Sequence, residues 1–259
     1  MPEDQCPSEV DSAKSIVPRP DSADGDQITA DRSCGRSVVS NARARRYADV
    51  DLAGIIVRKA ATDSDFQIVA RLREDGFSRI PLTTPSNGTK AHTCWIDELD
   101  RQPGVFSLIG YACAGKPVAT MRVQDGRVSP LELARFVPLD SLLSGEEKPA
   151  AQFARLSVTK RNQAADVMFG LFKAAWGWCL REGIPSIVIA TPPWSKPVYD
   201  FMFFEDLGIR GHFSHAFAGY ALHVAMRLPV SSAEQIWRAG ASPMCKQFLD
   251  VTHPALILD

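Results

Sequence analysis

Asp97 and Asp100 stand three residues apart, a spacing that puts two carboxylates on one face of a helical turn. With Arg73, Arg122 and Arg155 they can form a charge network, and a guanidinium in such a network can hold a small molecule's carboxylate by paired hydrogen bonds. Five solvated surface charges are the alternative. Two other patterns lead away from chemistry. His212 and His215 are spaced by three in an expected strand, so their side chains point to opposite faces, and no third ligand is near; no metal site is expected. Cys179 lies in an apolar helix with no adjacent base and reads as an inert core thiol. The six cysteines are scattered with no C-x-x-C, which argues against a disulfide framework and against zinc.

The elements that would position these residues follow from periodicity and punctuation. Ile55 to Lys59 is a short β-branched run, and Thr62-Asp-Ser-Asp caps an amphipathic helix with Phe66, Val69, Ala70 and Leu72 on one side, closed near Gly76. Val105 to Tyr111 and Pro117 to Val123 read as strands of a hairpin turning at Ala114-Gly115-Lys116. Phe153 to Val158 is the next strand. After the polar break Thr159-Lys-Arg-Asn-Gln, a long helix carries Val167, Leu171, Ala174, Ala175 and Trp178 and stops at Gly183. Ile187 to Ala190 is wholly apolar, as suits the middle of a sheet covered on both faces. Ser195 can cap a short helix with Pro197 in its first turn, and His212 to Phe217 and Tyr220 to Leu228 are two final strands. Ser231-Ser-Ala-Glu spells a capping box for a last helix.

Composition sets the outer bounds. The 259 residues are 45% hydrophobic and 23% charged, with 29 Lys plus Arg against 30 Asp plus Glu, so there is no global field for a nucleic acid or an anionic membrane surface. The longest apolar window, Ala164 to Leu180, contains Asp166 and Lys173 and is too short to span a bilayer. The start Met1-Pro-Glu-Asp-Gln has no basic n-region before an apolar stretch, and a cytoplasmic location is expected. All 22 aromatic residues lie at or after Tyr47, so 1–46 is expected to be a disordered tail, acidic to residue 31 and then basic. One domain is expected over 47–230, with 231–259 as a helical extension packed on it.

Several strings then fall in a telling order: Arg71-Leu-Arg73 with Phe77, Asp97-Glu-Leu-Asp100, Thr120-Met-Arg122, Gln152-Phe-Ala-Arg155-Leu-Ser-Val158, and Tyr199 with Phe204. In order and spacing they resemble the GNAT acyltransferases, and more narrowly the FeeM-type N-acyl amino acid synthases and the related acyl-homoserine-lactone synthases, over about Ile55 to Leu228. The resemblance implies an α/β fold with a mixed, mainly antiparallel central sheet flanked by helices. It implies transfer of a long-chain acyl group from a thioester, carried on acyl carrier protein, to the amine of an amino acid or similar small molecule, with no bound cofactor. Backbone N–H near Leu156 to Val158 would be the oxyanion donor, and the Tyr199 phenol would protonate the leaving thiolate. A Tyr199 packed with its hydroxyl on a backbone carbonyl is the alternative. Asp97 and Asp100 would serve the chemistry. Arg73, Phe77, Arg122, Arg155, Leu156 and Trp194 would bind substrate, and Lys160, Arg161, Gln163 and Ala164 would meet the carrier or its phosphopantetheine, with Lys173 and Arg181 adding positive charge.

Two departures bear on the donor and the base. Asp166 and Met168 stand where coenzyme A-dependent members of this fold resemble a Gly-rich loop, so a pyrophosphate is not expected to approach the backbone there. Gln152 stands where the similar families have a glutamate, and an amide is no base. Glu132-Leu-Ala-Arg135 also spells E-x-x-R, but it lacks the following strand and helix and reads as a decoy. The aromatic residues Phe169, Phe172, Trp176, Trp178, Trp194, Phe201, Phe203 and Phe204 are core or the lining of an acyl tunnel; the sequence leaves both open. Rival functions are a coenzyme A-dependent N-acetyltransferase and a catalytically inactive module that binds an acyl ligand or a protein.

Overall fold

A computed structural model describes residues 50–77, 95–112, 115–159, 164–215, 219–239, 248–249, 253–256 and 258, with backbone alone at 164, 212–215 and 219–221. The expected tail 1–46 and the residues Lys160, Arg161 and Gln163 lie outside them. Seven strands form one sheet: β1 (Ile56–Lys59), β2 (Val105–Tyr111), β3 (Pro117–Asp125), β4 (Ala150–Val158), β5 (Ser186–Thr191), β6 (Glu205–His215) and β7 (Gly219–Pro229), in the order β1-β2-β3-β4-β5-β7-β6. Every neighbouring pair is antiparallel except β4 with β5. That parallel pair requires a crossover, which the long apolar helix after β4 supplies.

Among the described residues, five α-helices accompany the sheet: α1 (Asp63–Phe77), α2 (Leu139–Leu142), α3 (Ala164–Arg181), α4 (Lys196–Phe201) and α5 (Val230–Ala239). Thr62 caps α1 as its residue type predicts: its Oγ1 accepts the Asp65 N–H at 3.2 Å while Asp65 Oδ2 accepts the Thr62 N–H at 3.1 Å. The expected apolar stripe of α3 is buried, with Val167, Leu171, Ala174, Ala175 and Trp178 all in one core cluster with Met121, Phe153, Ile187 and Met226 of the sheet. Burial of these side chains, at about 25 cal/mol per Å² of apolar surface, holds the crossover on the sheet. Gly110 lets it come close, because a Cβ there would lie 2.3 Å from Val167 Cγ1. α5 and the C-terminal residues Phe248, Leu256 and Leu258 share that face, where Trp237 lies 5.0 Å from Trp176. α1 covers the opposite face, where Ser157 of β4 donates to the Leu72 carbonyl of α1 at 2.5 Å.

Three elements begin where the sequence does not announce them. β4 starts at Ala150 and β3 runs to Asp125, so the polar residues Gln124 and Gln152 lie inside strands, opposite one another in the ladder. Their amides are satisfied by the loop above, as the site shows. β6 starts at Glu205, its register broken between Asp206 and Arg210 where Gly208 has φ +73°. α5 starts at Val230 rather than behind the Ser231 capping box, because the Val230 N–H is bound by the Pro185 carbonyl at 2.8 Å.

Candidate active site

The site grows out of the one parallel pair. Its ladder runs from Ala150 opposite Ser186 to Phe153 opposite Ile189 and ends there. Beyond that point β4 stays with β3 and β5 stays with β7, so the two central strands part like a wedge. β4 also bulges at the parting: Ser157 pairs with Thr120 but Ala154 with Arg122, and Arg155 between them has φ +54°. The Thr159 N–H reaches back to the Val118 carbonyl at 2.9 Å, so by strand alternation the Val158 N–H points to the edge that β5 has left. A cleft of about 170 Å³ opens in the wedge. Phe77, Arg155, Leu156, Trp194 and Tyr199 line it, Trp194 at its mouth with 59% of its surface exposed. Val158 is not among the lining residues, and what it offers is its amide.

On the α1 face the five expected charges do meet, but not as expected. Asp97 and Asp100 bracket one helical turn, and both carboxylates come within ion-pair distance of Arg122. They cap the 3-10 turn Glu98–Arg101 reciprocally, the Asp100 N–H bonding Asp97 Oδ1 at 3.1 Å and the Asp97 N–H bonding Asp100 Oδ2 at 3.0 Å. Arg73 and Asp100 are sealed from the cleft. The guanidinium grips both carboxylate oxygens at 2.7 and 2.8 Å, and both side chains are 0% exposed. Burial disfavours the Asp100 anion, yet Arg73, with Arg122 behind it, outweighs this and holds its pKa at about 2. A carboxylate so held is no base, and Arg73 is no ligand for substrate. Arg122 is likewise enclosed, donating to Asp97 at 2.9 Å and to Glu132 at 2.5 Å. Arg155 alone of the three lines the cleft, paired with Glu132 at 2.9 Å and Asp97 at 3.3 Å. Burial draws its pKa down to about 10, so it is still a cation at neutral pH.

Glu132, read from sequence as part of a decoy, belongs to this network and is the one carboxylate among the described residues of the cleft wall. Two glutamines put it there. Gln124 Oε1 accepts the Glu132 N–H at 3.0 Å and Gln152 Oε1 accepts the Leu133 N–H at 2.8 Å, clamping the 3-10 turn Glu132–Arg135 onto β3 and β4. Gln152 is engaged in that clamp through its side-chain oxygen, and the carboxylate of the cleft comes from the clamped turn. Arg135 faces solvent, so the E-x-x-R spelling itself is accidental.

On the opposite face, Tyr199 of α4 is packed against Phe172 and Phe204 at ring separations of 5.8 and 5.5 Å. Burial pushes its phenol up to about 12, partly offset by a hydrogen bond with the Thr191 side chain. The hydroxyl is thus partnered by a side chain, and it stays protonated across the neutral range. The aromatic residues behind it form packed core: Phe153, Phe172, Trp176, Phe204, Trp237 and Phe248 leave a gap of only about 10 Å³. Tilted and edge-to-face contacts among these described rings fill the space that a long chain would need there.

At the start of α3, Asp166 accepts the Asp51 N–H at 3.3 Å, and burial raises its pKa. Lys173 and Arg181 both lie against C-terminal residues of the chain. Arg181 donates to the Leu258 carbonyl, and Lys173 is half-buried near His253, its pKa lowered to about 8 by burial. Cys179 is fully buried and its thiol pKa is raised by burial, as for an inert core residue. The described residues contain no cluster of three or more His, Cys, Asp or Glu side chains that could hold a metal, and no helix long and apolar enough to cross a membrane. The side chains of His212 and His215 lie outside the description. His223, which drew no notice in the sequence, lines the cleft on the Glu132 side of the sheet. The one signal for it was a polar residue, with Arg227, in the otherwise apolar run Ala221 to Leu228.

No family model matches the chain, and no curated protein matches it either. Solved structures do. The N-acyl amino acid synthase FeeM from uncultured soil microbes superposes with a TM-score of 0.55 at 14% identity, over 70% of this chain and 93% of that one. BjaI, a coenzyme A-dependent acyl-homoserine lactone synthase, gives 0.51 at 16% identity, over 73% and 90%. TofI, solved in a ternary complex with an inhibitor and MTA, gives 0.51 at 15% identity, over 78% and 98%. At these identities the likeness is one of fold alone. The chain has the GNAT fold.

Proposed function

We propose that the chain is an N-acyltransferase, moving an acyl group from a thioester to the amine of a small molecule such as an amino acid. The observation that carries this is the parting of β4 from β5 after Phe153, which leaves a free N–H edge at Val158 beside a cleft that also holds a protonated phenol. A pantetheine arm can add to that edge as a short strand, with the Val158 N–H facing the thioester oxygen. Tyr199 then supplies a proton to the departing thiolate, and Arg155 orients the acceptor. The thioester is attacked directly, and no side chain of the cleft needs to carry the acyl group.

Acyl carrier protein is the donor this reading favours. A coenzyme A pyrophosphate would meet Asp166 and Met168 near the start of α3, where a carboxylate opposes it, whereas a carrier brings a single phosphate. The cleft is close to the size of the roughly 150 Å³ cavity that takes up benzene, so it suits an acyl group of about six carbons. The long chain implied by the resemblance would need the aromatic wall at Phe153 to move. Mass spectrometry of extracts from bacteria expressing the chain, beside an empty-vector control, tests the reading. New masses at amine plus acyl group support it, and their identity names the acceptor. Extracts identical to the control, together with retention of the chain on a coenzyme A column, would replace it with a coenzyme A-dependent acetyltransferase.

A further inference from the structure

We propose that His223 is the base that takes the proton from the incoming ammonium of the acceptor; the inference rests on the N-acyltransferase reading and names the step that reading leaves without a residue. An amine that reaches the site at neutral pH is largely an ammonium ion and cannot attack until it loses a proton. Four titratable side chains line the cleft among the described residues: Glu132, Arg155, Tyr199 and His223. Arg155 is already a cation and cannot accept a proton. Tyr199 already carries its own, and burial keeps it there. Glu132 is tied to Arg122 at 2.5 Å and to Arg155 at 2.9 Å, so protonating it would break two ion pairs at once. The imidazole is the remaining group, and it is the type whose charge changes in the neutral range.

Its place in the sheet suits the task. Thr191 pairs with Val224, so His223 is at the tip of the β5–β7 ladder, where the wedge is open, and it points away from the Tyr199 face. The two proton-transfer groups are thereby on opposite sides of the sheet, one beside Glu132 where a cation is drawn in, the other beside the aromatic wall. Across the cleft His223 faces the Glu132–Arg155 pair; on β6 its ladder partner is Gly211, with Arg210 and Asp206 farther along; beyond Ala225 on its own face is Arg227, engaged with Glu147 and Glu205. The protons balance. His223 removes one from the ammonium and passes it to solvent. The neutral nitrogen attacks the thioester carbon, the C–N bond forms, the C–S bond breaks, and the thiolate takes the Tyr199 proton. The second proton shed as the nitrogen becomes an amide restores the phenol.

The test uses the full chain, hexanoyl-acyl carrier protein and hexanoyl-coenzyme A as donors, and two acceptor probes: butylamine, an ammonium ion at neutral pH, and methoxyamine, which is neutral there. Thiol release is followed against pH. His223→Gln should lose about 100-fold or more in kcat/KM with butylamine, in the range of a lost general base, and less than about tenfold with methoxyamine, which arrives deprotonated. Equal losses with both probes, or none, would overturn the assignment. His223→Asn repeats the measurement if the glutamine melts early. The wild type also decides by itself: the acid limb of its profile should appear with butylamine and vanish with methoxyamine, and a limb kept with both sinks the idea. Absence of wild-type turnover with either donor, on both probes and on a panel of amino acids, removes the N-acyltransferase reading and this inference with it, an outcome distinct from an unaltered variant.

Discussion

Asp100→Asn separates structure from chemistry at the charge network. In the folded chain Arg73 is 0% exposed and its guanidinium is matched by both Asp100 oxygens, with further bonds to the Trp95 carbonyl at 2.9 Å and Ser107 Oγ at 3.0 Å. The amide keeps the shape but leaves a buried cation without its counter-charge, and breaking such a pair costs about 3–5 kcal/mol. For a domain of this size 1 kcal/mol shifts Tm by roughly 2–4 °C, so the expected drop is about 6–20 °C. A calorimetric melt reads it. The pH dependence has a definite sign. The folded pKa of Asp100 is depressed from 3.8 to about 2, so its stabilisation is fully present above pH 3.8 and fades as pH falls towards 2. The variant should lack that acid-side loss. Because Asp100 does not line the cleft, kcat/KM of the folded variant well below its Tm should stay within a few-fold of wild type. A variant that melts like wild type but is inactive would refute this and return Asp100 to the chemistry.

Three further outcomes follow from the site. Tyr199→Phe should lower kcat by at least about tenfold while costing only about 1 kcal/mol for the lost Thr191 bond; an unchanged rate removes the phenol from the reaction. Gln152→Leu should release the Leu133 N–H and let the Glu132 turn drift, lowering kcat/KM with a loss of about 1–3 kcal/mol in a denaturant melt; full activity would show that the clamp does not set the site. Phe153→Ala should cost about 3–5 kcal/mol, yet shift preference from hexanoyl towards longer donors, because Phe153 alone lines both the cleft and the gap behind it; an unaltered chain-length profile would put the acyl group elsewhere.

The sheet was legible in the sequence because its central strands are apolar runs and its crossover helix has a clean buried stripe. Val105 to Tyr111 was read to the residue, and β5 missed by one residue at each end. The ends that escaped are those where polar side chains find partners far away in the chain. Gln124 and Gln152 interrupt an apolar pattern, and only the folded loop shows that both amides are spent on one turn. For the same reason Gln152 read as a lost base. Arg73, Arg122 and Arg155 are one residue type in three positions, and nothing local tells which is sealed behind a carboxylate and which faces the cleft. The long loop between β3 and β4 hid Glu132, since neither of its guanidinium partners is within helical reach. His223 sits in an ordinary strand, and its function depends on where β5 stops, which is a property of two other strands.

The central claim is that the wedge between β4 and β5 carries acyl transfer, and purified full-length chain mixed with hexanoyl-acyl carrier protein and a panel of primary amines tests it most directly. The account predicts thiol release that depends on the amine and matches amide formed mole for mole, without an acylated enzyme accumulating. Thiol release that ignores the amine, or a lasting acyl-enzyme, would contradict it.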